Sequence, residues 1–357
     1  MIRRFTSTVA GPAERGEEFG SRHASEVART VEDYRRFFDT RGAVDLHRLG
    51  TRTLEQVEAF APELALEIRG IASGARLPTS HVAAVNARTE VLAVLDRAGA
   101  GPGPGECSAV VCLGDVDAEP VAVQTWDWYA DMAENWFEWT IPFPDGRRVV
   151  TLTEYGIVGK IGVNDSGVGL LFTMLHHQDD GAGVGVPVHV VARRILDTAG
   201  SVSAALDIAA AARTSASTSL TLVGARRAGK DAITAELWPG GPGHVRPNPE
   251  GLLVHTNHFL SEPARDGDLS PDSSSDTLAR YEALRQGLQP YRGRATLEQI
   301  LTVMNDHTAG VCCHPDPLAG PEPLHATLAT ISLDLAAGRA TTWAGGPCRI
   351  APVLAPA

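Results

Sequence analysis

Little in this chain suits it to a membrane or a nucleic acid. No window approaches the roughly 18 continuous apolar residues that a membrane span requires. Its 31 Lys and Arg are outnumbered by 43 Asp and Glu, for a formal net charge of -12. That balance excludes the clustered positive charge that nucleic acid and anionic lipid reward. Cysteine is scarce: Cys107, Cys112, Cys312, Cys313 and Cys348 are odd in number and too sparse for a disulfide framework. Arg3 and Arg4 near the amino end have no apolar run behind them, so the segment does not read as a signal peptide. These absences together predict a cytoplasmic protein. What remains is ordinary for a globular chain of 357 residues, with 43% hydrophobic and 21% charged residues. The length allows one large domain or two of common size.

Residues 1 to about 100 read as helical. Val57, Phe60, Leu64, Ile68 and Ile71 recur at spacings of three and four, one apolar stripe along one helix. Leu77-Pro78-Thr79-Ser80 reads as a stop and a fresh start, with Thr79 or Ser80 capping a helix over 81–98. A run of Gly, Pro and Ala over 99–105 ends this pattern. Strand-like segments follow at 108–113, 120–128, 136–143, 147–155, 158–163 and 168–175, separated by Gly, Asp and Asn. Helices fit 187–198 and 201–213, and strands return at 217–223, 232–238 and 252–259. Two more helices fit 276–289 and 297–308, and a hairpin over 326–335 and 339–343 closes the pattern. Strands, then helices, then strands again predict an α+β layered domain.

Chemistry concentrates at Cys107. It follows the loose Gly-Pro run and Glu106, and it opens the apolar run Ser108-Ala109-Val110-Val111. A thiol held at the first position of a central strand is placed to attack the carbonyl before it. Cleavage there makes Cys107 a new amino terminus, with a thiol and an α-amine on one residue. An α-amine titrates near 7.7–8.0, so it serves as the thiol's general base at neutral pH without a histidine. If the segments 108–113 and 120–128 are neighbouring strands, Asp127 sits beside Cys107.

Further segments complete a pattern: Glu14-Arg15-Gly16 with Gly20, Glu67-Ile68-Arg69-Gly70-Ile71-Ala72, and Asn86-Ala87-Arg88-Thr89-Glu90. After Cys107-Ser108 come Gln124-Thr125-Trp126-Asp127-Trp128, Gly156 through Asn164, and His255-Thr256-Asn257-His258-Phe259. In this order and spacing the chain resembles the acyl-coenzyme A:6-aminopenicillanic acid acyltransferase family of N-terminal-nucleophile hydrolases. The resemblance implies a four-layer αββα sandwich with a helical N-terminal segment. It implies a precursor that cuts itself between Glu106 and Cys107 into residues 1–106 and 107–357, two fragments that stay associated. By matching motif, Cys107 is the expected nucleophile, Asp127 the acid holding the new α-amine, and Asn257 the oxyanion-hole side chain. Arg280, on the helix after Ser273-Ser274-Ser275, is the expected supporting arginine. Gln124 stands where related bile-salt hydrolases and penicillin V acylases have an arginine, which favours the acyltransferase branch. Cys313 stands where acyltransferase relatives carry an arginine, and Glu106 where the penicillin enzyme has a glycine.

Trp126 reads as pocket wall. His176, in the polar run after the strand at 168–175, reads as edging the site, and both are candidate substrate contacts. His255, His258, Cys312, Cys313, His314 and His325 include zinc-ligand types but no tight Cys-x-x-Cys or His-x-x-x-His pair, so no metal and no cofactor are expected. The expected substrate is a small amide or an acyl-CoA thioester. Water or an amine as acceptor is left open, because pocket shape and water exclusion decide it. The competing expectation is an unprocessed relative of the same fold that binds a ligand without catalysis.

Overall fold

The computed structural model describes residues 2–100, 107–270, 276–315 and 324–350. The chain starts with strand β1 (Arg4–Thr6) and helices α1 (Pro12–Arg22), α2 (Ala24–Arg41), α3 (Leu46–Phe60), α4 (Pro62–Ala75), α5 (Thr79–Asn86) and α6 (Arg88–Leu95). Strands β2 (Ser108–Cys112), β3 (Val121–Tyr129), β4 (Trp136–Pro142), β5 (Arg148–Glu154), β6 (Ile161–Asn164) and β7 (Val168–Met174) come next. Helices α7 (Val188–Thr198) and α8 (Val202–Ala211) lead to β8 (Thr218–Gly224), β9 (Asp231–Trp238), β10 (Gly241–Val245) and β11 (Leu252–His255). The short α9 (Glu262–Arg265), then α10 (Thr277–Leu288) and α11 (Leu297–Met304), precede the hairpin β12 (His325–Asp334) and β13 (Arg339–Ala344).

These elements form an α+β sandwich. Eight strands make one sheet in the order β1-β4-β5-β6-β7-β8-β9-β10, and five make the other in the order β11-β2-β3-β12-β13. The sheets face each other, with α7 and α8 on the outside of the larger and α10 and α11 on the outside of the smaller. Alternation along β2 divides its side chains between two cores. Ala109 and Val111 join the large core between the sheets, and Cys107 belongs to that core too. Val110 and Cys112 point the other way, into a second core with Leu284, Leu288, Ile300 and Met304 of α10 and α11. Every residue of β2 is therefore buried.

The helical segment is fastened to this body by close packing and buried charge. Helices α1 and α4 approach so closely that a Cβ on Gly16 would lie 2.2 Å from the Glu67 carbonyl oxygen, and one on Gly70 as close to that of Ala13. Only glycine permits that approach. Arg15 and Arg193 converge on Glu67, all three fully buried, so two guanidinium groups offset the desolvation of one carboxylate. Among the described residues, no helix is long and apolar enough to cross a membrane.

The structure departs from the sequence reading in several places, among them β10, which the sequence reading did not include. Residues Arg4–Thr6 are not helical but pair parallel with β4, with Phe5 buried beside Phe19 and Trp139; a three-residue strand is too short to show a period. The stripe from Val57 to Ile71 spans two helices, because Pro62 has no N–H to continue α3 and instead opens α4. The expected helix over 81–98 is α5 and α6, broken at Ala87, and Pro78 takes the N-cap position in place of Thr79 or Ser80. At that break Asn86 turns its amide away, donating to Gly156 O and accepting from Val158 N. The strand expected to reach residue 259 ends at His255, since Asn257 N donates to Thr277 Oγ1 on α10 instead of to a neighbouring strand. Glu106 and most of the Gly-Pro run fall in 101–106, outside the described residues, as do Ser273, Ser274 and Ser275.

Candidate active site

Because β2 and β3 pair antiparallel, with Ser108 opposite Thr125, Cys107 arrives beside the Trp126-Asp127 end of β3. Its Sγ lies 3.7 Å from the backbone oxygen of Asp127. Burial, with the Asp127 charge adding to it, pushes the Cys107 thiol up to about 11. Lys160 and Arg280 act in the opposite direction, since positive charge favours a thiolate.

Arg280 ties the region together. It projects from the first turns of α10 and is fully buried. Its Nη1 donates to the Cys107 carbonyl oxygen at 2.7 Å and to Ser108 Oγ at 3.1 Å. Its Nη2 donates to Asn257 Oδ1 at 2.9 Å, and its Nε to Asp276 Oδ1 at 2.6 Å. The planar fork thus sets the Cys107 backbone and the Asn257 amide in one frame. Asn257 Nδ2 gives one of its two hydrogens to Met174 O at 2.9 Å, which fixes which end of the amide is the donor. Thr277 orients this loop from the start of α10. Its Oγ1 accepts from Asn257 N at 2.8 Å and lies 3.0 Å from His258 Nδ1.

Two side chains that sequence reasoning did not single out belong here. Thr277 is one. Lys160 is the other: a fully buried amine whose Nζ sits 3.7 Å from the centroid of the Trp126 ring and 3.9 Å from Glu154 Oε2. Burial, reinforced by Arg88, lowers its pKa to about 7, and the Cys107 charge acts against that shift. The available signal was compositional. Lys160 and Lys230 are the chain's only lysines, and Lys160 sits in an apolar, glycine-flanked run where a solvated charge has no reason to be.

Lys160 also connects the site to the helical segment. Glu154 accepts from Arg88 Nε at 3.1 Å and from the Tyr34 hydroxyl, which itself accepts from Trp128 Nε1 at 3.0 Å. Tyr34 and Arg88 lie on α2 and α6, while Glu154 and Trp128 lie on the strands. Gln124 is structural: its amide bridges the sheets, accepting from Phe172 N at 2.7 Å and donating to Phe172 O at 2.5 Å.

Of the expected site residues, Cys107, Asp127, Asn257 and Arg280 come together and Trp126 lies behind them under Lys160. His176 lines a small cleft of about 80 Å³ with Arg97 and Asp180, whose described walls include none of those four residues. A larger cavity of about 820 Å³ opens beside β12, with Trp136, His314, Thr327 and Arg349 in its lining. Trp136 meets Trp126 edge-on at 6.3 Å, and Thr327 is the strand partner of Asp127, so this cavity lies on the Asp127 side of the smaller sheet.

The histidines and cysteines divide by neighbourhood. His255 Nε2 pairs with Glu236 Oε1 at 2.8 Å, and burial lowers His258 to about 4. Cys313 Sγ points to His325 O at 3.6 Å. Cys312 and His314 turn elsewhere, toward His307 and Cys348, a grouping that sequence spacing did not suggest.

The chain is similar to several known proteins. The sequence profile of the family described as acyl-coenzyme A:6-aminopenicillanic acid acyl-transferase matches residues 115–349. The acyl-coenzyme A:6-aminopenicillanic-acid-acyltransferase 40 kDa form of Emericella nidulans is 30% identical over 258 residues, 70% of this chain and 67% of that protein. Among solved structures, a Caenorhabditis elegans N-acylethanolamine-hydrolyzing acid amidase ortholog superposes with a TM-score of 0.46 at 12% identity, covering 67% of this chain and 99% of its own. Penicillin V acylase from Agrobacterium tumefaciens does so with a TM-score of 0.40 at 13% identity, covering 67% and 83%.

Proposed function

The chain belongs to the acyl-coenzyme A:6-aminopenicillanic acid acyl-transferase family, and on that premise we propose a self-processing acyl-transfer enzyme whose nucleophile is Cys107. The observation that carries the reading is the shared frame in which Arg280 holds both the Cys107 carbonyl and the Asn257 amide while the Cys107 thiol lies at Asp127.

Processing begins with Cys107 Sγ adding to the carbonyl carbon of Glu106. The C–N bond breaks, the thiol proton goes to the departing nitrogen, and a thioester joins Glu106 to Sγ. Water hydrolyses that thioester, leaving a Glu106 carboxylate, a thiol and a new α-amine. The fragments 1–106 and 107–357 stay together, supported by the buried contacts of Tyr34 and Arg88 with Glu154 and Trp128, and of Arg15 with Glu67 and Arg193.

Before cleavage the thiol, raised to about 11, is ionised in only about one molecule in ten thousand at pH 7. Liberating the α-amine places a base with a pKa near neutrality on the same residue, held by Asp127. In turnover that amine takes the thiol proton and Sγ attacks the carbonyl of a small amide or acyl-CoA thioester. The remaining Nδ2 hydrogen of Asn257 meets the oxyanion. The leaving amine or thiol takes the proton, an acyl-enzyme remains on Cys107, and water or an amine resolves it. The 6-aminopenicillanic acid named for the Emericella nidulans relative makes an amine acceptor the first to assay.

Intact mass and Edman sequencing of the wild type and Cys107→Ala test this reading. The wild type should yield two fragments divided before Cys107, and the variant a single inactive chain. A fully cut variant, or active wild type whose only amino terminus is Met1, overturns it.

A further inference from the structure

A second constellation lies outside this site. His307 and His314 bring their Nε2 atoms within 3.2 Å of each other. The same His314 Nε2 is 3.5 Å from Cys312 Sγ and 3.3 Å from Cys348 Sγ. All four donor atoms lie within 4.8 Å of one another. One imidazole nitrogen has a single hydrogen or a single lone pair in the ring plane, so it cannot satisfy three partners by hydrogen bonding. A central cation satisfies all of them at once. Zinc bound at about 2.0–2.1 Å to nitrogen and about 2.3 Å to sulfur, in a tetrahedron, puts N···N near 3.3 Å and N···S near 3.5 Å. The three separations around His314 Nε2 fall close to these values, and the widest pair of the four, within 4.8 Å, needs only a side-chain adjustment to close on the ion.

We propose that His307, Cys312, His314 and Cys348 form a structural zinc site. Two thiolates balance the charge of the ion, and four protein ligands close its coordination, the hallmark of a structural centre as opposed to a catalytic one. The backbone is shaped to the site. A Cβ on Gly346 would lie 2.4 Å from Cys312 Sγ, so only glycine lets that turn close over the sulfur. The Cys348 backbone N–H lies against the same thiol, a polar partner suited to a metal-bound sulfur. Neighbouring Cys313 faces elsewhere, its Sγ directed at His325 O. His307 and His314 are exposed, which gives the ion a route in.

The site clips the segment after α11 to the turn after β13. It borders the cavity of about 820 Å³, whose lining includes His314 and Gly346. Cys312 lies close enough to Asp127 for the carboxylate charge to act on its thiol. Zinc there stiffens one wall of that cavity and the ends of the hairpin paired with β3, whatever reaction the chain performs.

Metal analysis of the full chain, purified without a histidine tag, tests the assignment. Wild type and Cys107→Ala should each carry about one zinc per chain, while Cys348→Ser and His307→Ala should carry less than about one tenth as much. Should either variant fold poorly, cobalt added to metal-stripped wild type supplies an independent readout. Tetrahedral thiolate coordination gives intense visible absorption, and stoichiometric zinc abolishes it. Wild type that binds neither metal, Cys348→Ser with undiminished zinc, or a Cys312–Cys348 disulfide in the native protein overturns the proposal.

Discussion

Cys107 and Cys312 are both buried thiols, yet their surroundings ask opposite things of them. Around Cys107 the neighbours are a carbonyl oxygen, a carboxylate, one arginine and one buried lysine. None of these is a soft ligand, and in the proposed reading the thiol is a nucleophile that a base must activate. Around Cys312 stand a second thiol and imidazole nitrogens, a set of metal-ligand groups gathered within 4.8 Å of one another. The difference teaches that a cysteine's role is decided less by burial than by whether its neighbours supply a proton acceptor or a shared cation.

Substitutions at each centre sharpen that contrast. Cys107→Ala should abolish turnover, by at least about 10⁴-fold, while leaving the zinc content unchanged; Cys348→Ser should do the reverse, and loss of both properties in either variant would dissolve the distinction. Arg280→Leu removes the donor shared by Cys107 and Asn257, so self-cleavage and turnover should fall together by about 10³-fold. Intact mass over time and acyl-transfer assays read the two steps, and a normal cleavage rate would return Arg280 to a purely packing role. Asn257→Ala should lower kcat by about 10²–10³, as expected for one lost oxyanion donor. A fall below about threefold would assign it to structure.

Lys160→Met carries a smaller effect with a definite pH signature. Below about pH 7 Lys160 is protonated and favours the Cys107 thiolate; above that pH its charge is gone. Alkylation of Cys107 by iodoacetamide should therefore be slower in the variant by about tenfold at pH 6, with the gap closing by pH 9. Stability should move the other way. The folded lysine titrates near 7 and the unfolded one near 10.5, so the unfolded chain binds more protons across that window and native stability rises with pH through it. Lys160→Met should flatten the rise and increase Tm at neutral pH; an unchanged pH profile would remove Lys160 from the electrostatics of the site. Gly346→Ala should be the mildest, keeping turnover while speeding zinc release to a chromophoric chelator by about threefold or more.

Much of the architecture was legible because it follows periodicity. The strands near Cys107 and the helices α7, α8, α10 and α11 emerge from alternation and helical spacing within a few residues of their ends. What misled was local. Val57 through Ile71 keep a helical rhythm across Pro62, since a stripe records which face is buried and not whether the backbone is continuous. Arg4–Thr6 is a strand only because β4 offers it an edge. For the candidate site, motif order brought Cys107, Asp127, Asn257 and Arg280 to notice, whereas His176, named from its place after a strand, lines a different cleft.

By itself the sequence determined the α+β layering and the order of the motifs, because each is written in short-range pattern and composition. Only the tertiary structure decided which distant groups share a space. Arg280 reaches the Cys107 carbonyl across 173 positions of chain, Lys160 lies against Trp126, and Cys348 returns to within reach of His314. Such meetings depend on sheet order and helix docking, and no spacing along the chain encodes them.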